Sequence, residues 1–97
     1  MLTLPIKRKW FDMIASGEKK EEYRNCTKYY KSRFGKYAAA SSFKIRFRAG
    51  YRADSPLMEC EASLYYGRGK AEWGAPANWM GFILRIHTVE VLISDAK

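Results

Sequence analysis

The segment Gly17-Glu-Lys-Lys-Glu-Glu-Tyr-Arg24 puts three cations and three acids into eight positions. Read as an extended strand, it alternates: Lys20, Glu22 and Arg24 share one face, and Lys19, Glu21 and Tyr23 share the other. Same-face neighbours then stand about 6.6–6.8 Å apart, so Glu22 reaches the head groups of both Lys20 and Arg24. A carboxylate so placed can accept from the amine of a base while its cationic neighbours neutralise phosphate. Glu22 can also act as a general base toward water if a desolvated lysine, Lys19, stands beside it. That role needs the two side chains to converge, whereas on a regular strand they diverge. Gly17 supplies the means, because a turn or bulge there takes Lys19 off the strand. A third reading is structural: Glu22 and Arg24 pair and tie the strand to its neighbours.

A second charged pattern lies further on. From Phe43 to Tyr51 the chain alternates, with Phe43, Ile45, Phe47, Ala49 and Tyr51 on one face. Lys44, Arg46, Arg48 and Arg52 fall on the other, with Gly50 interrupting them. Cations at two-residue spacing form a stripe able to track phosphates, with a steep salt dependence; the alternative is a solvated outer face. Trp73 and Trp79, in a loop rich in Gly and Pro, are candidates for stacking on bases, with Lys70 and Glu72 beside them. His87 has no serine or cysteine context that suggests a triad and reads as a hydrogen-bonded structural residue. The Gly67-Arg-Gly69 turn is too short for a phosphate-cradling loop.

Composition narrows the field. Ninety-seven residues, 47% of them apolar, fit one domain with a modest core. The net charge is +8, and it is unevenly spread. Residues 1–52 carry 14 Lys or Arg against 4 acids, and residues 53–97 carry 4 against 6. Such asymmetry suits an anionic partner. No apolar run is long enough to span a membrane, and the opening MLTLPI is too short for a signal-peptide core, so a cytoplasmic chain with no membrane association is expected. Cys26 and Cys60 lack CxxC or CxxH companions, which argues against a metal site and for free thiols. No cofactor is expected.

The elements that must position these groups follow from periodicity. Leu2 and Leu4 flank Thr3 in a short strand ended by Pro5. Trp10, Phe11, Met13 and Ile14 give a helical stripe within Lys7 to Ser16, with Gly17 as its stop. A strand from Lys20 to Arg24 leads to Asn25 and Thr27, both suited to cap a helix from about Lys28 to Ala40, weakened at Gly35. Strands are expected from Phe43 to Tyr51, from Leu57 to Tyr66 and from Met80 to Ile86. A last one carries Val89, Val91 and Ile93 after a break near His87-Thr88. Five to six short strands with two helices in the N-terminal half make an α+β domain, best closed as a curled or barrel-like sheet.

The spacing Gly17-x-Lys19-x-x-Glu22-x-Arg24 resembles the GxKxxExR signature of ASCH domains, in the same place after a strand and a helix. The stretch Gly69-Lys-Ala-Glu-Trp-Gly-Ala-Pro76 is similar to a segment of short ASCH-like proteins of bacteria and phages. The resemblance implies a PUA-like β-barrel and a cleft, lined by the motif, for RNA or a nucleobase-like ligand. Some members of that family remove the acetyl group from acetylated cytidine with a lysine and a threonine of the motif and a later glutamate; others are described as ribonucleases. By position the lysine is Lys19, while Glu22 stands where the threonine would be. Glu72 is an acid in a different context.

The expectation is therefore one ASCH-type, PUA-like domain, monomeric by default, that binds RNA or a nucleotide-like ligand. Gly17, Lys19, Glu22 and Arg24 form the site floor, with Lys44, Arg46, Arg48, Lys70, Glu72 and Trp73 at its rim. A hydrolase of modified nucleosides or RNA, with Lys19 and Glu22 catalytic, is the first alternative. A protein-interaction module that uses the basic stripe is the second.

Overall fold

The computed structural model describes residues 1–94. In chain order the elements are β1 (Leu2–Pro5), α1 (Arg8–Ala15), β2 (Glu21–Arg24), α2 (Lys28–Phe34), β3 (Phe43–Arg48), β4 (Leu57–Arg68) and β5 (Met80–Ile93). Short 3₁₀ turns at Gly35–Tyr37 and Ala71–Trp73 follow α2 and β4. The five strands form one curled half-barrel sheet in the order β1-β3-β4-β5-β2. β1 pairs with β3 in parallel, and the other neighbours are antiparallel.

Alternation along β3 decides which face is the core. Phe43, Ile45 and Phe47 are buried and stand opposite Ala62, Cys60 and Met58 of β4. Leu4 joins them from β1, and Leu84 from β5. The helices lie against this inner face: Phe11 and Ile14 of α1 and Phe34 of α2 enter the same cluster. Each aliphatic or aromatic side chain fully buried there contributes about 1.5–3 kcal/mol. Cys26 and Cys60 are free thiols, and burial pushes the Cys60 thiol up to about 12.

Several elements differ from their expected extents. α2 stops at Phe34, because Gly35 opens into the 3₁₀ turn. Of the two candidate caps, Thr27 serves: its Oγ1 accepts from the Tyr30 N–H at 3.2 Å, worth ~1 kcal/mol. β3 ends at Arg48, ahead of Gly50, whose φ of +136° takes the chain out of extended geometry. The two strands expected after Met80 are a single one, so the sheet has five. The expected break is a bulge. Glu61 stands opposite Thr88 and Ala62 opposite Ile86, which leaves His87 as the extra residue. The His87 ring lies 2.6 Å from Ser63 Oγ, and Ser63 donates to the Ser41 carbonyl, so His87 Nε2 carries the proton toward the serine.

The sheet stops short of a closed barrel: β1 and β2 are its edges, with no ladder between them. A side chain spans that gap instead. Arg24 of β2 donates from Nη2 to the Pro5 carbonyl of β1 at 2.7 Å.

Candidate functional site

The turn after α1 sets the site. Gly17 has φ +86°, a conformation that glycine adopts without the Cβ penalty of other residues, and its N–H caps the Ile14 carbonyl at 3.0 Å. The Met13 carbonyl is taken by the Lys19 N–H at 2.9 Å. Lys19 is thereby held against the end of α1, and β2 begins only at Glu21. Freed from strand alternation, the Lys19 ammonium reaches Glu22 Oε1 at 3.3 Å. Glu22 Oε2 accepts from Arg24 Nε at 3.1 Å and from Nη2 at 2.8 Å. The Arg24 guanidinium also donates from Nη1 to Tyr30 Oη at 2.8 Å.

This chain of charges is enclosed. Lys19 is 1% exposed and Glu22 6%. The ammonium lies 4.9 Å from the ring centres of both Trp10 and Tyr23 and donates to the Trp73 carbonyl. Burial lowers the Lys19 pKa, against the opposing pull of the Glu22 carboxylate. Glu22 thus balances two cations that would otherwise be uncompensated, an arrangement whose loss is far costlier than that of a surface pair.

The segment from Gly69 to Trp79 is strapped over the pair. The Lys70 N–H donates to Tyr23 Oη at 2.9 Å, and that hydroxyl donates to Glu21 Oε1 at 2.7 Å. Burial, reinforced by Glu21, raises the Tyr23 pKa, which keeps the phenol protonated. Trp79 Nε1 donates to Asn25 Oδ1 at 2.7 Å. Gly74, at φ +104°, passes so close to Trp10 that a Cβ would stand 2.9 Å from the indole. Lys70 and Glu72 are exposed, the Lys70 ammonium lying 4.6 Å from the Trp73 ring centre. Trp73 meets Lys19 through its backbone oxygen, a contact that no side-chain pattern announces.

Two open hollows flank Arg24. One, of about 450 Å³, is lined by Tyr23, Asn25, Pro76 and Trp79. The other, of about 480 Å³, is lined by Ile6, Lys7, Gly50 and Tyr51. Arg24 and Tyr30 line both. Lys19 instead backs a smaller hollow of about 240 Å³ between the end of α1 and the His87 bulge, with Lys20 at its edge. Tyr51 fell on the apolar face of an expected strand and Tyr30 lay within an expected helix, so neither was a site candidate; their polar tips were the available sign.

Not every expected site residue joins this region. Glu22 and Arg24 stand opposite Leu84 and Phe82 of β5 and share the inner face. Lys44, Arg46 and Arg48 alternate with the core residues of β3 and so lie on the outer face. The stripe is therefore not the rim of the Arg24 hollows. It is also largely satisfied from within: Arg46 and Lys44 meet Glu59 of β4 at 3.0 and 3.6 Å, and Arg48 donates to the carbonyls of Arg52 and Ala53. Arg52 pairs with Asp54.

Among the described residues no group of three His, Cys, Asp or Glu is placed to hold a metal ion, and no helix is long and apolar enough to cross a membrane. Compared with protein-family models, curated proteins and solved structures, the chain matches none of them.

Proposed function

We propose that this chain is an ASCH-type, PUA-like domain that binds RNA or a nucleotide-derived ligand at the Arg24 end of its GxKxxExR motif. Lys19 and Glu22 act from beneath. Glu22, itself held by Lys19, fixes the orientation of the guanidinium, while Arg24 meets the ligand's phosphate. What supports this reading is one observation above all: Arg24 and Tyr30 line both of the open hollows, with Lys7, Tyr51 and Trp79 around them. Cations interleaved with aromatic faces suit phosphate and base together. The excess of positive charge in the N-terminal half would draw such a ligand in.

Titration of single-stranded RNA oligonucleotides and of nucleotides against the parent and Arg24→Lys, at about 50 and 200 mM salt, tests the proposal. Binding that weakens with salt and drops in the variant is the expected result. Equal affinity in both proteins at both salts would overturn it.

A second reading, hydrolysis of a modified nucleoside or of RNA, is favoured by the 3.3 Å approach of the Lys19 ammonium to the Glu22 carboxylate and by the lowered Lys19 pKa. In that reading Glu22 takes a proton from an attacking water once the strap carrying Trp73 lifts. Product formation from acetylated cytidine or RNA, lost in Glu22→Gln, is its test. A folded parent protein that yields no product from either class of substrate removes it.

A further inference from the structure

The wall between the two hollows has donors to spare. Arg24 has five N–H groups. Nε–H and one Nη2–H go to Glu22, the second Nη2–H goes to the Pro5 carbonyl, and one Nη1–H goes to Tyr30 Oη. One Nη1–H is left. Tyr30 accepts that bond, so its own hydroxyl hydrogen is uncommitted, and among the described residues it meets no acceptor. Two donors 2.8 Å apart by their heavy atoms therefore sit on one ridge, with a hollow on either side.

This arrangement matches the repeat of a single-stranded nucleic acid. A phosphodiester has two non-bridging oxygens and a nucleoside on each side. From the nucleotide-binding reading above, on which this step rests, we infer that the site takes a dinucleotide step rather than a lone nucleotide. The bridging phosphate lies on the Arg24–Tyr30 ridge and one base falls into each hollow. On one side the base meets Tyr51, which is 90% exposed and carries no packing duty, with Lys7 at hand for the next phosphate. On the other it meets Trp79 and Tyr23, whose rings stand 5.2 Å apart by their centres. Trp79 is held by Asn25, so that platform is rigid, whereas the Tyr51 ring is free to adapt. Stacking accepts any base, so selectivity between sequences is weak at both positions.

Competition against fluorescein-labelled hexauridine separates the outcomes. The competitors are uridine 5′-monophosphate, the dinucleotide UpU and a hexaglutamate peptide. UpU is expected to compete roughly ten-fold better than the monophosphate, with most of that gain lost in Tyr51→Ala. Tyr30→Phe, which keeps the ring and removes the donor, is expected to weaken UpU several-fold. Tyr51→Ala keeps the parent's thermal midpoint; Tyr30→Phe, which also removes the acceptor of one Arg24 N–H, lowers it by a few degrees and stays folded at the assay temperature. If UpU and the monophosphate compete equally and Tyr51→Ala is silent, the site takes one nucleotide: the dinucleotide inference falls and the nucleotide-binding reading stands. Hexaglutamate competing as well as UpU overturns the inference by showing that charge alone is read. If hexauridine itself does not bind and the monophosphate does not either, the nucleotide-binding reading fails and takes the inference with it.

Discussion

Two clusters in this molecule set one glutamate against a lysine and an arginine, and they share little else. On the inner face Glu22 holds Lys19 and Arg24, with Lys19 and Glu22 under 10% exposed. On the outer face Glu59 holds Arg46 and Lys44, whose side chains are 38% and 62% exposed. Water competes for both cations of the second cluster and for almost no charge in the first. The inner ions depend on one another for solvation, and removing one leaves the others stranded. The outer ions fall back on water. Like residue types therefore serve different ends: the inner set fixes Arg24 at the mouth of the hollows, and the outer set makes a solvated face.

The sharpest way to break the comparison is to remove the central acid of each cluster. Glu22→Ala should cost about 3–5 kcal/mol in urea denaturation, because two buried cations lose their counter-charge. Glu59→Ala on the outer face should cost no more than about 1 kcal/mol in the same measurement. Similar losses for both would show that burial does not separate them. The strap gives the next largest effect. Gly74→Ala imposes a side chain at φ +104° and against the Trp10 indole, and should cost about 1–3 kcal/mol. It should also speed amide hydrogen exchange at Lys70 and Ala75 relative to β3, since both N–H groups are held within the strap or to it.

A third contrast concerns pH. The Cys60 thiol is raised from 9.0 to about 12 in the folded state, so between those values the unfolded chain releases a proton that the folded chain keeps. Its contribution to stability is intact below pH 9 and is lost as pH rises toward 12. The raised Tyr23 pKa acts in the same direction above about 10. Lys19 works the other way: its folded pKa is lowered, so the unfolded chain holds more protons and its contribution to stability grows as pH rises toward 10.5. Cys60→Ala should flatten the alkaline fall in the urea midpoint, and Lys19→Met should steepen it. The smallest effect belongs to the outer stripe, where Lys44→Ala should change stability by only a few tenths of a kcal/mol.

Much of this organisation could be read from the chain. The alternation of Phe43, Ile45 and Phe47 fixed the core face of β3 and put Lys44 and Arg46 outside. The Gly17 turn was the stated condition for Lys19 and Glu22 to converge, and they converge through it. The fate of the basic stripe was hidden, because its neutralisation depends on the cross-strand register that sets Arg46 opposite Glu59. The strap was equally hidden in its main contact, since the group that meets Lys19 is the backbone oxygen of Trp73 and any residue has one. The fifth strand misled for a related reason. His87 and Thr88 break the apolar alternation as a turn would, yet a one-residue bulge absorbs the break and the strand runs on.

The claim that the inner cluster, and not the outer stripe, presents the ligand is tested most directly by one titration. Fluorescein-labelled hexauridine is titrated against the parent, Arg24→Lys and the double variant Lys44→Ala/Arg46→Ala, with each protein's folding checked by its thermal midpoint. Arg24→Lys should lose roughly ten-fold in affinity, because lysine cannot reproduce the guanidinium fork, and the double variant should stay within about two-fold of the parent. A double variant that loses affinity while Arg24→Lys keeps it would contradict the account and move the interface to the outer face of β3.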